Sequence, residues 1–131
     1  MLEAKTITVS IDRDWRELYE AFWRPEAFAQ RASGLSNSAI EREGEDWKAQ
    51  GPEGPIRIKF SDRNGFGVMD HWVDIGGGRI VYVPLRIAAN GAGAEVSLTL
   101  FRQPDMADAK FAEDAAWVKG DLLTLKALNE R

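Results

Sequence analysis

The chain predicts an α+β domain in which a curved, seven-stranded antiparallel sheet wraps one long C-terminal helix, with two short helices after the first strand. Three observations point there. A segment of strict apolar/polar alternation near the N-terminus gives way at once to helical spacing. The middle of the chain is a run of short alternating segments separated by Gly, Pro and Asn-Gly breaks. The stretch from Asp105 to Arg131 then reads as one amphipathic helix. A sheet closed by a helix in this order leaves room for a small molecule between them.

Lys5 to Ile11 alternates Thr6, Thr8 and Ser10 with Ile7, Val9 and Ile11, the period of a half-buried strand. Asp14, with Glu17 three residues on, forms an acidic capping pattern. Trp15, Leu18, Tyr19 and Phe22 follow at helical spacing. Pro25 suits the first turn of a second short helix, with Phe28 as its apolar contact and Gly34 as its end. From Leu35 the signal becomes six strands, broken at Gly44, at Gly51 to Pro55, at Asn64-Gly65, at Gly76 to Gly78 and at Asn90-Gly91.

Two registers follow from the turns. Asn90-Gly91 suits a two-residue type I′ turn, which sets Ala89 opposite Ala92, Arg86 opposite Glu95 and Tyr82 opposite Thr99. It also sets Leu85, Val83 and Val81 opposite Val96, Leu98 and Leu100. A three-residue loop at the glycine triplet sets His71 opposite Val83, Trp72 opposite Tyr82 and Val73 opposite Val81, sorting like with like. The closing helix is predicted to start with Asp105 as N-cap and Asp108 near the positive end of its dipole. Its inward stripe is Phe111, Ala115, Val118, Leu122 and Leu125, flanked by Asp114 and Asp121.

Composition narrows the function. The chain has 131 residues, a length suited to a single domain spanning the whole sequence and able to bury its own core. It has no cysteine, so disulfides, thiolate metal sites and a cysteine nucleophile are excluded. With 17 basic and 21 acidic residues its net charge is −4, and no Lys/Arg stripe matches a phosphate backbone, which argues against nucleic acid. No apolar run approaches the roughly 20 residues of a membrane span, and no signal-peptide pattern opens the chain; we expect a cytoplasmic protein with no membrane insertion.

The segment Leu18-Tyr19-Glu20-Ala21-Phe22-Trp23-Arg24-Pro25-Glu26 and the hairpin ending in Asn90-Gly91-Ala92-Gly93-Ala94-Glu95-Val96 carry a resemblance. With the element order, they resemble the START/Bet v1-like (SRPBCC) superfamily, in particular its bacterial polyketide cyclase/dehydrase-like members. The resemblance spans nearly the whole chain. It implies a helix-grip fold with a cavity between sheet and C-terminal helix, in a superfamily of lipid carriers, aromatic-polyketide cyclases and hormone binders. Neither segment is a catalytic signature, and no catalytic residue is carried over from it.

The residues themselves supply candidates. His71, the single histidine, shares an alternation face with Met69, Val73 and Ile75, a polar insertion in an aliphatic wall. Its bland reading is a core histidine bonded to a backbone group; its functional reading is a ligand contact or a general base. Asp114, and less readily Asp121, would reach that wall from the helix edge, although carboxylates there are usually solvated. Met69, Val73, Val83, Leu85 and Leu98 with Phe111, Val118 and Leu122 would then line the cavity. The opposite face carries Asp70, Trp72, Ile80, Tyr82, Arg86 and Phe101, and its aromatics suggest an oligomer interface.

Turning the sheet over would make Tyr82 and Arg86 ligand donors. It would also expose the aliphatic row from Val81 to Leu100, at about 1.5–3 kcal/mol per side chain. One histidine with scattered carboxylates has no metal-ligand spacing, and no cofactor is expected. Trp15, Trp23 and Trp47 read as packing residues and Trp117 as cover for a helix edge. The expected function is therefore binding of a small hydrophobic or aromatic molecule, lipid- or polyketide-like. The alternatives are a cyclase or dehydratase with His71 as general base and Asp114 stabilising an enolate, and a protein-interaction module or homodimer using Trp72, Tyr82 and Phe101.

Overall fold

Alternation makes Ala4–Ile11 a strand, β1, that buries Ile7 and Ile11. Asp14 stops it from continuing: its carboxylate accepts the backbone N–H groups of Arg16 (3.1 Å) and Glu17 (3.2 Å) and so caps α1, Trp15–Phe22. The computed structural model describes residues 1–27, 40–51 and 54–130. Pro25–Ala27 forms a 3-10 turn where the second helix was predicted. Phe28 and Gly34, its predicted contact and end, lie outside the described residues, as does the start of the strand predicted from Leu35.

The remaining strands are β2 (Glu41–Glu43), β3 (Asp46–Gly51), β4 (Gly54–Phe60), β5 (His71–Asp74), β6 (Ile80–Val83), β7 (Leu85–Asn90) and β8 (Gly93–Phe101). They form two antiparallel sheets, β1-β8-β7 and β2-β3-β4-β5-β6, so the described strands number eight rather than the seven predicted. Pro84 is the reason. It has no N–H for a ladder, so the single strand predicted from Arg79 to Ala89 breaks there into β6 and β7. Pairing resumes beyond the break: Met69 N–H donates to the Leu85 carbonyl (2.8 Å) and Ile87 N–H to the Gly67 carbonyl (2.9 Å). Thr99 N–H donates to the Pro84 carbonyl (3.0 Å), tying β8 to the junction.

The predicted β5–β6 register holds, with His71 opposite Val83, Trp72 opposite Tyr82 and Val73 opposite Val81. The β7–β8 register differs by two residues: Asn90 pairs with Gly93, Ile87 with Val96, Arg86 with Ser97 and Leu85 with Leu98. Gly91 alone has positive φ (57°) in this turn, the pattern of a type II′ hairpin with glycine in the first central position. Asn90 remains a strand residue and its side chain donates to Glu95 (3.0 Å). Gly93 begins β8, and the position takes glycine because a Cβ there would stand 2.9 Å from the Ile11 carbonyl oxygen. A shift of two keeps every side chain on its predicted face.

The closing helix, α2, spans Asp108–Asn129, and Ala107 at its N-cap makes no side-chain hydrogen bond. Asp105, the predicted cap, instead has positive φ (65°) in the preceding turn. Arg102 organises that turn by donating to the Met106 carbonyl (3.0 and 2.7 Å) and pairing with Asp108 (2.6 Å). Phe111, Ala115, Leu122 and Leu125 are buried and Val118 partly so, the predicted stripe.

Among the described residues the buried apolar side chains other than Phe111 fall into two clusters. The larger joins β1, α1, β7, β8 and α2 around Leu18, Leu85, Val96 and Leu125. The smaller holds Ile40, Ala49 and Ile58, with Trp47, Ile56 and Phe60 against it.

Candidate functional site

His71 sits where the two clusters approach each other. It is 4% exposed, its Nδ1 lies 3.4 Å from the Met69 carbonyl, and its ring centroid is 5.8 Å from that of Phe60. Met69 belongs to the larger cluster and Phe60 packs on the smaller. Val83, opposite His71 across the hairpin, packs against the larger cluster. Val73 and Val81, one register step further on the same face, stay partly exposed and pack in neither. The inner wall thus carries aliphatic groups with one buried imidazole, and among the described residues Val73 and Val81 are packed into neither cluster.

The predicted wall residues are largely brought together. Met69, Leu85, Leu98 and Leu122 share the larger cluster, with Val83 and Val118 against it; Phe111 is buried on the same helix stripe. Asp114 lies at the helix edge and accepts an ion pair from Lys110, one turn earlier (2.9 Å). Tyr82 and Arg86 are on the opposite face, away from this wall.

That opposite face holds a polar junction that sequence reasoning missed. Asp70, 4% exposed, stands across from Pro84. Its carboxylate accepts the Tyr82 hydroxyl (2.6 Å), the Leu85 N–H (3.0 Å) and the Arg86 guanidinium through Nε (3.3 Å) and Nη2 (3.0 Å). The Leu85 N–H, the first donor after the proline, thus finds its acceptor in a side chain instead of a ladder carbonyl. Burial by itself pushes the Asp70 carboxyl up, but hydrogen bonds from Arg86, Tyr82 and the Leu85 N–H outweigh it, and the Arg86 charge adds to them; the net shift is downward. Tyr82 is raised, chiefly because it donates to Asp70. The predicted Arg86–Glu95 pairing does not form, since Arg86 faces Ser97; Glu95 accepts from Ser10 (2.6 Å) and Asn90 instead. Asp70, Tyr82 and Arg86 shared one alternation face in the sequence, and that shared face was the signal that the carboxylate could meet the two donors.

Beyond this junction Tyr82 stacks between Trp72 (5.3 Å between centroids) and Phe101 (6.3 Å). Trp72 and the 62% exposed Ile80 then border an open concavity of about 320 Å³ that also carries Asp46, Arg57, Lys59 and Asp74. A second, much smaller cavity of about 10 Å³ lies between the end of α1 and the ends of β4 and β5. Neither is lined by a residue of α2. Among the described residues no cluster of three or more His, Cys, Asp or Glu side chains could hold a metal, and no helix is long and apolar enough to cross a membrane.

A long C-terminal helix packed on antiparallel strands, with a short helix after β1, gives the START/Bet v1-like fold, so the resemblance read from the sequence holds at the level of architecture. Ara h 8.0201 has this fold with a TM-score of 0.71 at 10% identity, over 98% of this chain and 97% of its own. The Aha1 dimer from Colwellia psychrerythraea matches with a TM-score of 0.72 at 14% identity, over 98% of this chain and 97% of that one. DynU16, a putative protein in the dynemicin biosynthetic locus, matches with a TM-score of 0.68 at 14% identity; the match takes 95% of this chain but 46% of DynU16. No family model and no curated protein matches the sequence.

Proposed function

We propose that the protein binds a small hydrophobic or aromatic molecule, lipid- or polyketide-like, between the inner wall of the sheet and α2. The observation that carries this reading is the placement of His71. Among the described residues, a buried imidazole stands at the meeting of two apolar clusters, beside valines that belong to neither. An interior designed only for stability would merge its clusters and fill that position with a hydrocarbon side chain. Met69, Val73, Val83, Leu85 and Leu98 form the sheet wall and Phe111, Val118 and Leu122 the helix wall, with His71 orienting the ligand. The likeness to DynU16, from a biosynthetic locus, is in keeping with a polyketide-like ligand.

The cyclase alternative asks Asp114 to work with His71. Asp114 is engaged by Lys110, which favours binding over turnover. Freshly purified protein is expected to show a discrete apolar adduct in native mass spectrometry that disappears on denaturation. Protein that is unliganded in repeated preparations would count against an occupied interior.

The outer face supports a second reading, association with another copy of the chain through Trp72, Tyr82 and Phe101. Three stacked rings beside the exposed Ile80 make an apolar patch that water solvates poorly. Sedimentation is expected to show a dimer that Trp72→Glu separates into monomers. A wild-type monomer at high micromolar concentration would exclude the homodimer.

A further inference from the structure

We propose that Asn90 is a site of spontaneous covalent modification, converted to isoaspartate and aspartate by its neighbour Gly91, and that the change loosens the turn between β7 and β8. The reaction is independent of any ligand and uses only water. The Gly91 backbone nitrogen bonds to the Asn90 Cγ, its proton leaves with the side-chain amide as ammonia, and a five-membered imide closes. Water then opens the imide: addition at the main-chain carbonyl gives isoaspartate, and addition at the former side-chain carbonyl gives aspartate. Glycine after asparagine favours the step because it carries no side chain to hinder its nitrogen and leaves the backbone free to rotate.

The chain contains two such pairs, Asn64-Gly65 and Asn90-Gly91, and their surroundings separate them. Asn64 is half-buried, and its carboxamide donates to the Asp62 (3.0 Å) and Val68 (2.8 Å) carbonyls and accepts the Phe66 (2.9 Å) and Val68 (3.1 Å) N–H groups. Its Cγ cannot turn onto the Gly65 nitrogen without breaking these bonds. Asn90 is exposed, and its carboxamide is held by a single bond to Glu95 (3.0 Å). It pairs with Gly93 in the last rung of the hairpin, and beyond it a Cβ added at Gly91 would meet nothing within 4 Å. Such an end opens at little cost, which gives the nitrogen its approach.

The products do not suit the turn. Either one puts a carboxylate where the Asn90 amide donated to Glu95, so like charges face each other. Isoaspartate also lengthens the main chain by one carbon, for which the two-residue turn has no place. Glu95 accepts the Ser10 hydroxyl (2.6 Å) as well, so the disturbance reaches β1.

The test is peptide mapping by mass spectrometry after the folded protein has stood for days at mildly alkaline pH and physiological temperature, beside a sample kept in guanidinium chloride. In the folded protein Asn90 is expected to convert at least about tenfold faster than Asn64, whose extra hydrogen bonds must open first, whereas in denaturant the two convert at similar rates. An Asn90 that stays intact in the folded protein while it reacts in denaturant, or equal rates at the two sites in the folded chain, would overturn the assignment. Asn90→Asp, which reproduces one product, is expected to lower the urea midpoint at neutral pH, by an amount that shrinks with added salt. An unchanged midpoint would overturn the effect on the turn.

Discussion

Gly67→Ala is expected to lower the unfolding free energy by about 3–5 kcal/mol, read from the urea midpoint at constant m-value. Gly67 has φ of 71°, and a Cβ there would stand 2.1 Å from the Ile87 carbonyl oxygen. The main chain cannot yield easily, because the Gly67 carbonyl accepts the Ile87 N–H and Asn64 pins the loop from within. Its side chain accepts from Phe66 N–H (2.9 Å) and Val68 N–H (3.1 Å) and donates to the Val68 carbonyl (2.8 Å). Gly77→Ala is the control. Its φ is also positive (64°) but nothing lies within 4 Å of the added Cβ, so only the conformational cost of about 1–2 kcal/mol remains. Equal losses for the two variants would show that close approach at Ile87 is not what holds this loop against β7.

Asp70→Ala is expected to cost about 2–4 kcal/mol, the second large effect. Leu85 is fully buried, and its N–H would lose the carboxylate that replaces the missing ladder partner, at about 1–3 kcal/mol. The ion pair itself adds little, because the Arg86 side chain is more than half exposed. Asp70→Asn keeps an acceptor for Leu85 and is expected to lose less. The two variants also separate by pH. The folded Asp70 carboxyl titrates below its unfolded value of about 3.9, so its contribution is complete above that value and is lost as pH falls through the folded pKa. The stability of the wild type should therefore decline on that acid limb more steeply than that of Asp70→Asn, as measured by denaturant titration at stepped pH. Parallel limbs would remove the electrostatic part of this account.

Much of the architecture was legible because hydrophobic alternation is a direct record of burial. The faces of β5 to β8 followed from it, the α2 stripe followed from helical spacing, and the Asp14 cap followed from its pattern with Glu17. The β5–β6 register was legible too, since three consecutive cross-strand pairs match in character. The β7–β8 register was not. A two-residue shift leaves each side chain on the same face, so the pattern that identifies the face is blind to the error, and only turn geometry separates the two choices. Gly93 held the missing constraint, but the approach of Ile11 that forbids a side chain there comes from a distant strand. Asp70 was placed on the outer, aromatic face and given no partner there. Its role depends on Tyr82, the Leu85 N–H and Arg86, a relation visible only once the two strands are paired.

These limits bear on the site in the same way. Composition and spacing identified an aliphatic wall with one histidine, and the structure places that histidine between two clusters instead of inside one. The proposed binding interior requires a ligand beside Val73 and Val81, which among the described residues belong to neither cluster.

The most direct measurement is isothermal titration of 2-acetylnaphthalene into the wild-type protein and into Val73→Trp, with thermal melts confirming that both are folded. The expected result is saturable one-to-one binding to the wild type, weakened at least tenfold by an indole that fills the space beside His71. No saturable binding, or equal binding to both proteins, would contradict the claim that the inner wall encloses a ligand.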